Sequence, residues 1–333
     1  MNRFLRVALC VALFSICAMA QKLNGAGATF PYPIYSKWFS EYHKANPSVE
    51  INYQSIGSGG GILQLLQGTV DFGASDGPMT DEQLAEAKVK ILHVPTVLGS
   101  VVPAYNIRGV TQELKFTPDV LAGIFLGKIK NWNDPAIAKV NPGVTFPNQE
   151  IVVAHRSDGS GTTYVFTDYL SKVSPEWQKT VGKGTSVKWP SGIGGKGNEG
   201  VAGTIVQIQG SIGYIELIYA VQNKIPFGTV QNAAGTFVKA SLESTTAAAA
   251  SAKMPADFRV SITNAPGKNA YPIASFTWLL VPVQSKDAAK GKVLKDYLTW
   301  MLDKGEAMTA PLTYAPLPTA VSKMVRAEIQ QIH

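Results

Sequence analysis

The run His155-Arg156-Ser157-Asp158-Gly159-Ser160-Gly161-Thr162-Thr163 gathers the densest polar chemistry of this 333-residue chain. It leaves an apolar segment, Ile151 to Ala154, and enters a periodic one, Tyr164 to Leu170. Hydroxyls from Ser160, Thr162 and Thr163 stand where the positive end of a helix dipole begins, and the glycines let backbone N–H groups approach closely. Arg156 adds a planar fork of donors that suits a tetrahedral oxyanion, and Asp158 can hold that fork in place. The combination reads as an oxyanion trap. Ser, Asp, Gly and Thr are also the ordinary cappers of a strand-to-helix turn, so the loop alone leaves both readings open.

Three further loops are of the same kind. Gly25-Ala26-Gly27-Ala28-Thr29-Phe30-Pro31 places a hydroxyl before a helix beginning near Pro33, and Ser55-Ile56-Gly57-Ser58-Gly59-Gly60-Gly61 does so before the helical segment Ile62 to Gln67. Phe72-Gly73-Ala74-Ser75-Asp76-Gly77-Pro78 ends an apolar strand on a carboxylate. Gly57 to Gly61 lacks the lysine of a Walker loop. A dehydrated oxyanion needs a donor for nearly every lone pair, which explains hydroxyls and amides in numbers. It does not explain Asp76, which as a carboxylate only accepts and makes sense only against an anion that still carries a proton. Inorganic phosphate keeps one near neutral pH and sulfate does not. Like charges about 4 Å apart cost on the order of 4 kcal/mol at an effective dielectric of ~20, roughly a thousandfold discrimination. The competing reading makes Asp76 the cap of a helix after Pro78.

The elements that must hold these loops follow an α/β pattern, short apolar runs alternating with amphipathic segments, which implies mostly parallel sheets. Thr80-x-x-Gln83 forms a capping box, and Thr117-Pro118, Asp134-Pro135 and Ser174-Pro175 each set a capper before a helix-opening proline. Strands are expected at Val49 to Tyr53, Asp71 to Ala74, Lys90 to Val94, Val97 to Tyr105, Ile151 to Ala154, Ser211 to Ile215 and Phe276 to Val283. Loops at the carboxyl ends of such strands converge on one crevice. Ser241 to Lys253 reads as a low-complexity surface helix, and the glycine-rich stretch Lys183 to Gly200 as an ordered loop or flap near a cleft.

Met1 to Ala20 carries Arg3 and Arg6, an apolar run and Ala18-Met19-Ala20 before Gln21, the pattern of a secretory leader cleaved after Ala20. Both cysteines, Cys10 and Cys17, fall inside it, which leaves residues 21–333 without disulfides or thiolate metal sites. Removing the leader lowers the formal net charge of +7 by the two arginines, an excess too diffuse for a nucleic-acid footprint. His43, His93, His155 and His333 show no ligand spacing, so no metal or other cofactor is expected. His155 should point to the face opposite Arg156 and serve as a packed or surface residue rather than a base. The tryptophans read as core or lobe-surface anchors.

At these loops the chain resembles the periplasmic phosphate-binding proteins of bacterial phosphate ABC transporters, the PstS family. The likeness spans residues 21–333 and includes Leu126-Gly127-Lys128-Ile129-Lys130-Asn131-Trp132, Val187-Lys188-Trp189-Pro190, Gly194-Gly195-Lys196-Gly197-Asn198 and Gly210-Ser211-Ile212-Gly213-Tyr214. The resemblance implies a two-lobed periplasmic-binding-protein fold of type II, each lobe a mostly parallel sheet flanked by helices, joined by two crossing strands near Val97 to Tyr105 and Tyr271 to Thr277. Residues 21–100 with 272–333 would form one lobe and residues 101–271 the other. It implies phosphate contacts from Thr29, Phe30, Ser58, Arg156, Ser160, Gly161 and Thr162, with Asp76 accepting the phosphate proton and Asp158 orienting Arg156. The expected role is periplasmic capture and delivery to permease subunits at the inner membrane, without catalysis and as a monomer. Two other classes stay in view: an exported phosphatase or phosphotransferase using Ser160, which lacks an evident base or metal, and a carrier of sulfate, molybdate or tungstate.

Overall fold

The computed structural model describes residues 21–333, so the expected leader lies outside the described residues. In chain order the strands are β1 (Gln21–Gly27), β2 (Val49–Ser55), β3 (Phe72–Ser75), β4 (Ile91–Asn106), β5 (Lys115–Phe116), β6 (Val152–Arg156), β7 (Ile193–Gly195), β8 (Ser211–Glu216), β9 (Thr229–Gln231), β10 (Phe237–Val238) and β11 (Ala274–Pro282). Eight of them make one sheet in the order β2-β1-β3-β11-β4-β8-β6-β7, and β10-β9-β5 form a small second sheet. Two parallel wings, β2-β1-β3 and β8-β6-β7, flank the antiparallel pair β11 and β4.

β4 holds the wings together. Its first ten residues, Ile91 to Ser100, run beside β11, and Val101 to Asn106 run beside β8. The two strands expected at Lys90 to Val94 and Val97 to Tyr105 are therefore one. Pro95, which breaks the apolar run in the sequence, lies where the pairing register shifts between Thr277 and Trp278, one of the few places a central strand accepts a residue without an N–H. β4 is buried along nearly its whole length, with several helices packed against it.

The expected caps are in place. Thr80 and Gln83 close a capping box on the helix Asp81–Glu86, and Thr117, Asp134 and Ser174 cap the helices they precede. The helices near Pro33 and Ile62 begin earlier, at Tyr32 and at Ser58. Two expectations are corrected. The alanine-rich helix Leu242–Ala250 is not a surface element, because Ser244, Thr245, Ala248 and Ala249 are buried and Thr245 Oγ1 lies 2.7 Å from Ser100 Oγ of β4. Lys183 to Gly200 is not wholly loop, since it contains β7 and the start of the helix Gly197–Gln207.

Candidate functional site

Five strands, three from one parallel wing and two from the other, end at one place. The Thr29 loop follows β1, Ser58 opens the helix after β2, Asp76 follows β3, Arg156 closes β6, and β7 leads to Asn198. The two wings touch directly there: Gly59 N donates to Gly159 O at 2.9 Å and Gly161 N to Ser58 Oγ at 2.9 Å. Gly57, with φ of +89°, permits this approach, because a Cβ at that position would collide with the Asp158 carboxylate and Gly159 O.

Arg156 is buried and gripped by Asp158 in a two-pronged pair, Nε to Oδ1 at 2.8 Å and Nη2 to Oδ2 at 2.6 Å. Gly197 N adds a third donor to Asp158 at 3.1 Å. Burial works against the Asp158 carboxylate, yet the bonds and charge of Arg156 hold it below the ordinary carboxylate range. The remaining prong, Nη1, reaches Thr162 Oγ1 at 3.4 Å. Tyr214 supports the loop from behind, its hydroxyl accepting from Arg156 N at 3.0 Å and lying 2.7 Å from Thr163 Oγ1.

The hydroxyls have a common polarity. Ser58 Oγ accepts from Gly161 N and, at 3.3 Å, from Asp76 N; both donors are amides, which cannot accept in return. Its lone pairs are taken and its proton is left to donate. Asp76 is the opposite case. Oδ1 accepts from Thr277 Oγ1 at 2.8 Å, while Oδ2 is buried with no hydrogen-bond partner among the described residues. Burial pushes this carboxyl up to about 7, against the opposing pull of the Thr277 bond and the Arg156 charge. Without a ligand, burial therefore works against the ionised form inferred from the sequence. A second buried carboxyl, Glu216, is pushed well up by burial, with the nearby Asp76 adding to the shift.

The residues singled out in the sequence differ in what they present. Thr29, Ser58, Asp76, Arg156, Asp158, Gly161 and Thr162 meet within this contact zone. Phe30 is wholly buried with its ring 6.4 Å from that of Tyr314, so only its main chain is available, and its carbonyl already accepts from Tyr314 OH at 2.6 Å. Ser160 caps the helix Gly161–Val173, its Oγ accepting from Thr163 N at 3.0 Å. Asp76 caps nothing, as Thr80 fills that role. His155 stacks on Trp189 at 5.0 Å, packed as expected. Sequence reasoning assigned no role to Asn198, Thr277 or Tyr214. Asn198 had a signal in its polar glycine-rich surroundings, whereas Thr277 is hidden in an apolar strand. No group of His, Cys, Asp and Glu among the described residues is arranged to hold a metal ion.

A family model described as a PBP superfamily domain matches residues 18–304. Phosphate-binding protein PstS of Xylella fastidiosa is 49% identical over 309 residues, covering 92% of this chain and 84% of that protein. Phosphate-binding protein PstS of Pasteurella multocida is 46% identical over 330 residues, covering 98% and 95%. The chain belongs to the PstS family of phosphate-binding proteins. A high-affinity periplasmic phosphate-binding protein solved with bound phosphate superposes with a TM-score of 0.76 at 24% identity, covering 92% of this chain and 93% of that one. The architecture is the two-lobed type II binding-protein fold expected from the sequence.

Proposed function

We propose that this protein captures inorganic phosphate between its lobes and delivers it to an ABC-type permease. The observation that carries the reading is Asp76 Oδ2, a buried acceptor without a partner set among hydroxyls and a guanidinium that can only donate. With Asp76 ionised, a fully deprotonated anion would leave that oxygen facing another, whereas a protonated phosphate donates to it. Thr29, Ser58, Arg156, Gly161 and Thr162 supply donors, with Phe30 through its main chain and Ser160 through its position at the helix start; Asp158 orients Arg156. The lobes are residues 21–100 with 272–333, and 101–271, a division supported by the exchange of partners along β4 after Ser100.

Binding without catalysis is favoured because Ser160 Oγ is committed as a helix cap and the nearest histidine in sequence, His155, is stacked on Trp189. Export and periplasmic residence rest on the leader pattern with cleavage after Ala20; no helix among the described residues is long and apolar enough to cross a membrane. The protein acts as a monomer docking on the permease at the inner membrane. Calorimetric titration with phosphate, with and without a large excess of sulfate, tests the assignment. The expected result is tight phosphate binding untouched by sulfate at pH 8; equal competition, or a phosphomonoesterase activity abolished by Ser160→Ala, would overturn it.

A further inference from the structure

Asn198 lies at the start of the helix Gly197–Gln207 and is wholly buried. Its Oδ1 accepts from Glu216 N at 2.9 Å, and because a backbone N–H only donates, this contact fixes which way the amide is turned. Nδ2 must then face the other side. Its two protons go to Thr29 Oγ1 at 2.8 Å and Thr162 Oγ1 at 3.1 Å, and the Asn198 backbone N–H adds a second donor to Thr29 Oγ1 at 3.1 Å. Thr162 Oγ1 receives its second donor from Arg156 Nη1. Each threonine oxygen thus has its lone pairs filled by groups that cannot accept, so each hydroxyl proton is forced toward the third direction.

We propose that Asn198 is a positioning residue that sets the donor polarity of Thr29 and Thr162, a reading that rests on the phosphate assignment above. Without it each hydroxyl is free to rotate and to offer a lone pair, which repels an anion as readily as a proton attracts it. The same amide joins a threonine after β1 to one on the helix after β6, so it also ties the wings together in the arrangement that aims both protons. Asn198 itself touches no anion in this scheme and acts through the two threonines.

A double-mutant cycle separates this from simple packing. Phosphate dissociation constants are measured for the wild type, Asn198→Ala, the Thr29→Val/Thr162→Val pair and the triple variant. Asn198→Ala is expected to weaken binding about tenfold or more in the wild type and less than about twofold once both hydroxyls are gone. Asn198→Leu, close in size and without a donor or a charge, is expected to bind as weakly as Asn198→Ala, whereas a packing role would have it restore binding. An unchanged cost of Asn198→Ala in the valine background, or a leucine variant that restores binding, would overturn the proposal. Should Asn198→Ala fail to fold, Asn198→Ser, too short to reach both threonines, takes its place in the cycle. If the wild type itself ignores phosphate, the functional reading fails; if it binds and the cycle is additive, only the role of Asn198 does.

Discussion

Sulfate is the sharper probe of Asp76, because sulfate does not titrate near neutral pH and any pH dependence in its binding must come from the protein. With Asp76 at about 7, sulfate meets either a neutral carboxylic acid that can donate to it or a buried carboxylate that repels it. Repulsion on the order of 4 kcal/mol at about 4 Å excludes the ionised form by roughly a thousandfold, so sulfate selects the protonated fraction. That fraction is about nine tenths at pH 6, a tenth at pH 8 and a hundredth at pH 9, and apparent affinity scales with it. Sulfate binding should therefore be level below pH 7 and weaken about tenfold per unit above it, close to a hundredfold between pH 6 and pH 9. Asp76→Asn cannot ionise, and its sulfate affinity should be flat. The measurement is calorimetric titration of phosphate-stripped protein with sulfate across that range at constant ionic strength. A flat profile in the wild type would refute the reasoning, and so would the same slope surviving in Asp76→Asn.

The same shift predicts the pH dependence of stability. The ligand-free carboxyl stands above its ordinary value of 3.8, so its contribution is present below about pH 4 and lost as pH rises through about 7. Between pH 5 and pH 8 urea denaturation should show the wild type losing roughly 2 to 3 kcal/mol more than Asp76→Asn; equal losses would mean that the group is not held protonated. Gly161→Ala places a Cβ 2.5 Å from both Asp76 Oδ2 and Ser58 Oγ, and the helical backbone itself accepts alanine, so phosphate affinity should fall more than about a hundredfold with unchanged helix content by circular dichroism. Arg156→Lys keeps the charge but loses the two-pronged pairing with Asp158, and titration should show phosphate binding weakened about tenfold to a hundredfold.

Much of this site could be read from the chain because parallel wings send every functional loop to one edge, and each such loop advertises itself as Gly, Ser, Thr or Asp after an apolar run. Thr29, Ser58, Asp76 and the Arg156 loop were found that way. The residues missed are those whose meaning depends on distant partners. Thr277 meets Asp76 across 201 positions and Asn198 meets Thr29 across 169. Asn198 sits in a glycine-rich stretch that looked irregular because a three-residue strand leaves little periodicity. β4 appeared as two strands because Pro95 interrupts the apolar run, whereas in the fold it lies beside the register shift and the strand continues through it. The alanine run of Leu242–Ala250 was misplaced because small side chains give no amphipathic contrast, although they pack closely against a strand.

The register shift at Thr277 has a consequence beyond local geometry. The residue at this irregularity is the one that donates to Asp76, and the strand that carries it is half of the central pair between the wings. A rotation of one wing against the other that let water reach this carboxyl would return it toward the strength of a free aspartic acid, because burial is the main cause of its weak acidity. At neutral pH such an opening would shed a proton and closing would reclaim one, so the acidity of the medium would bear on the balance between the two.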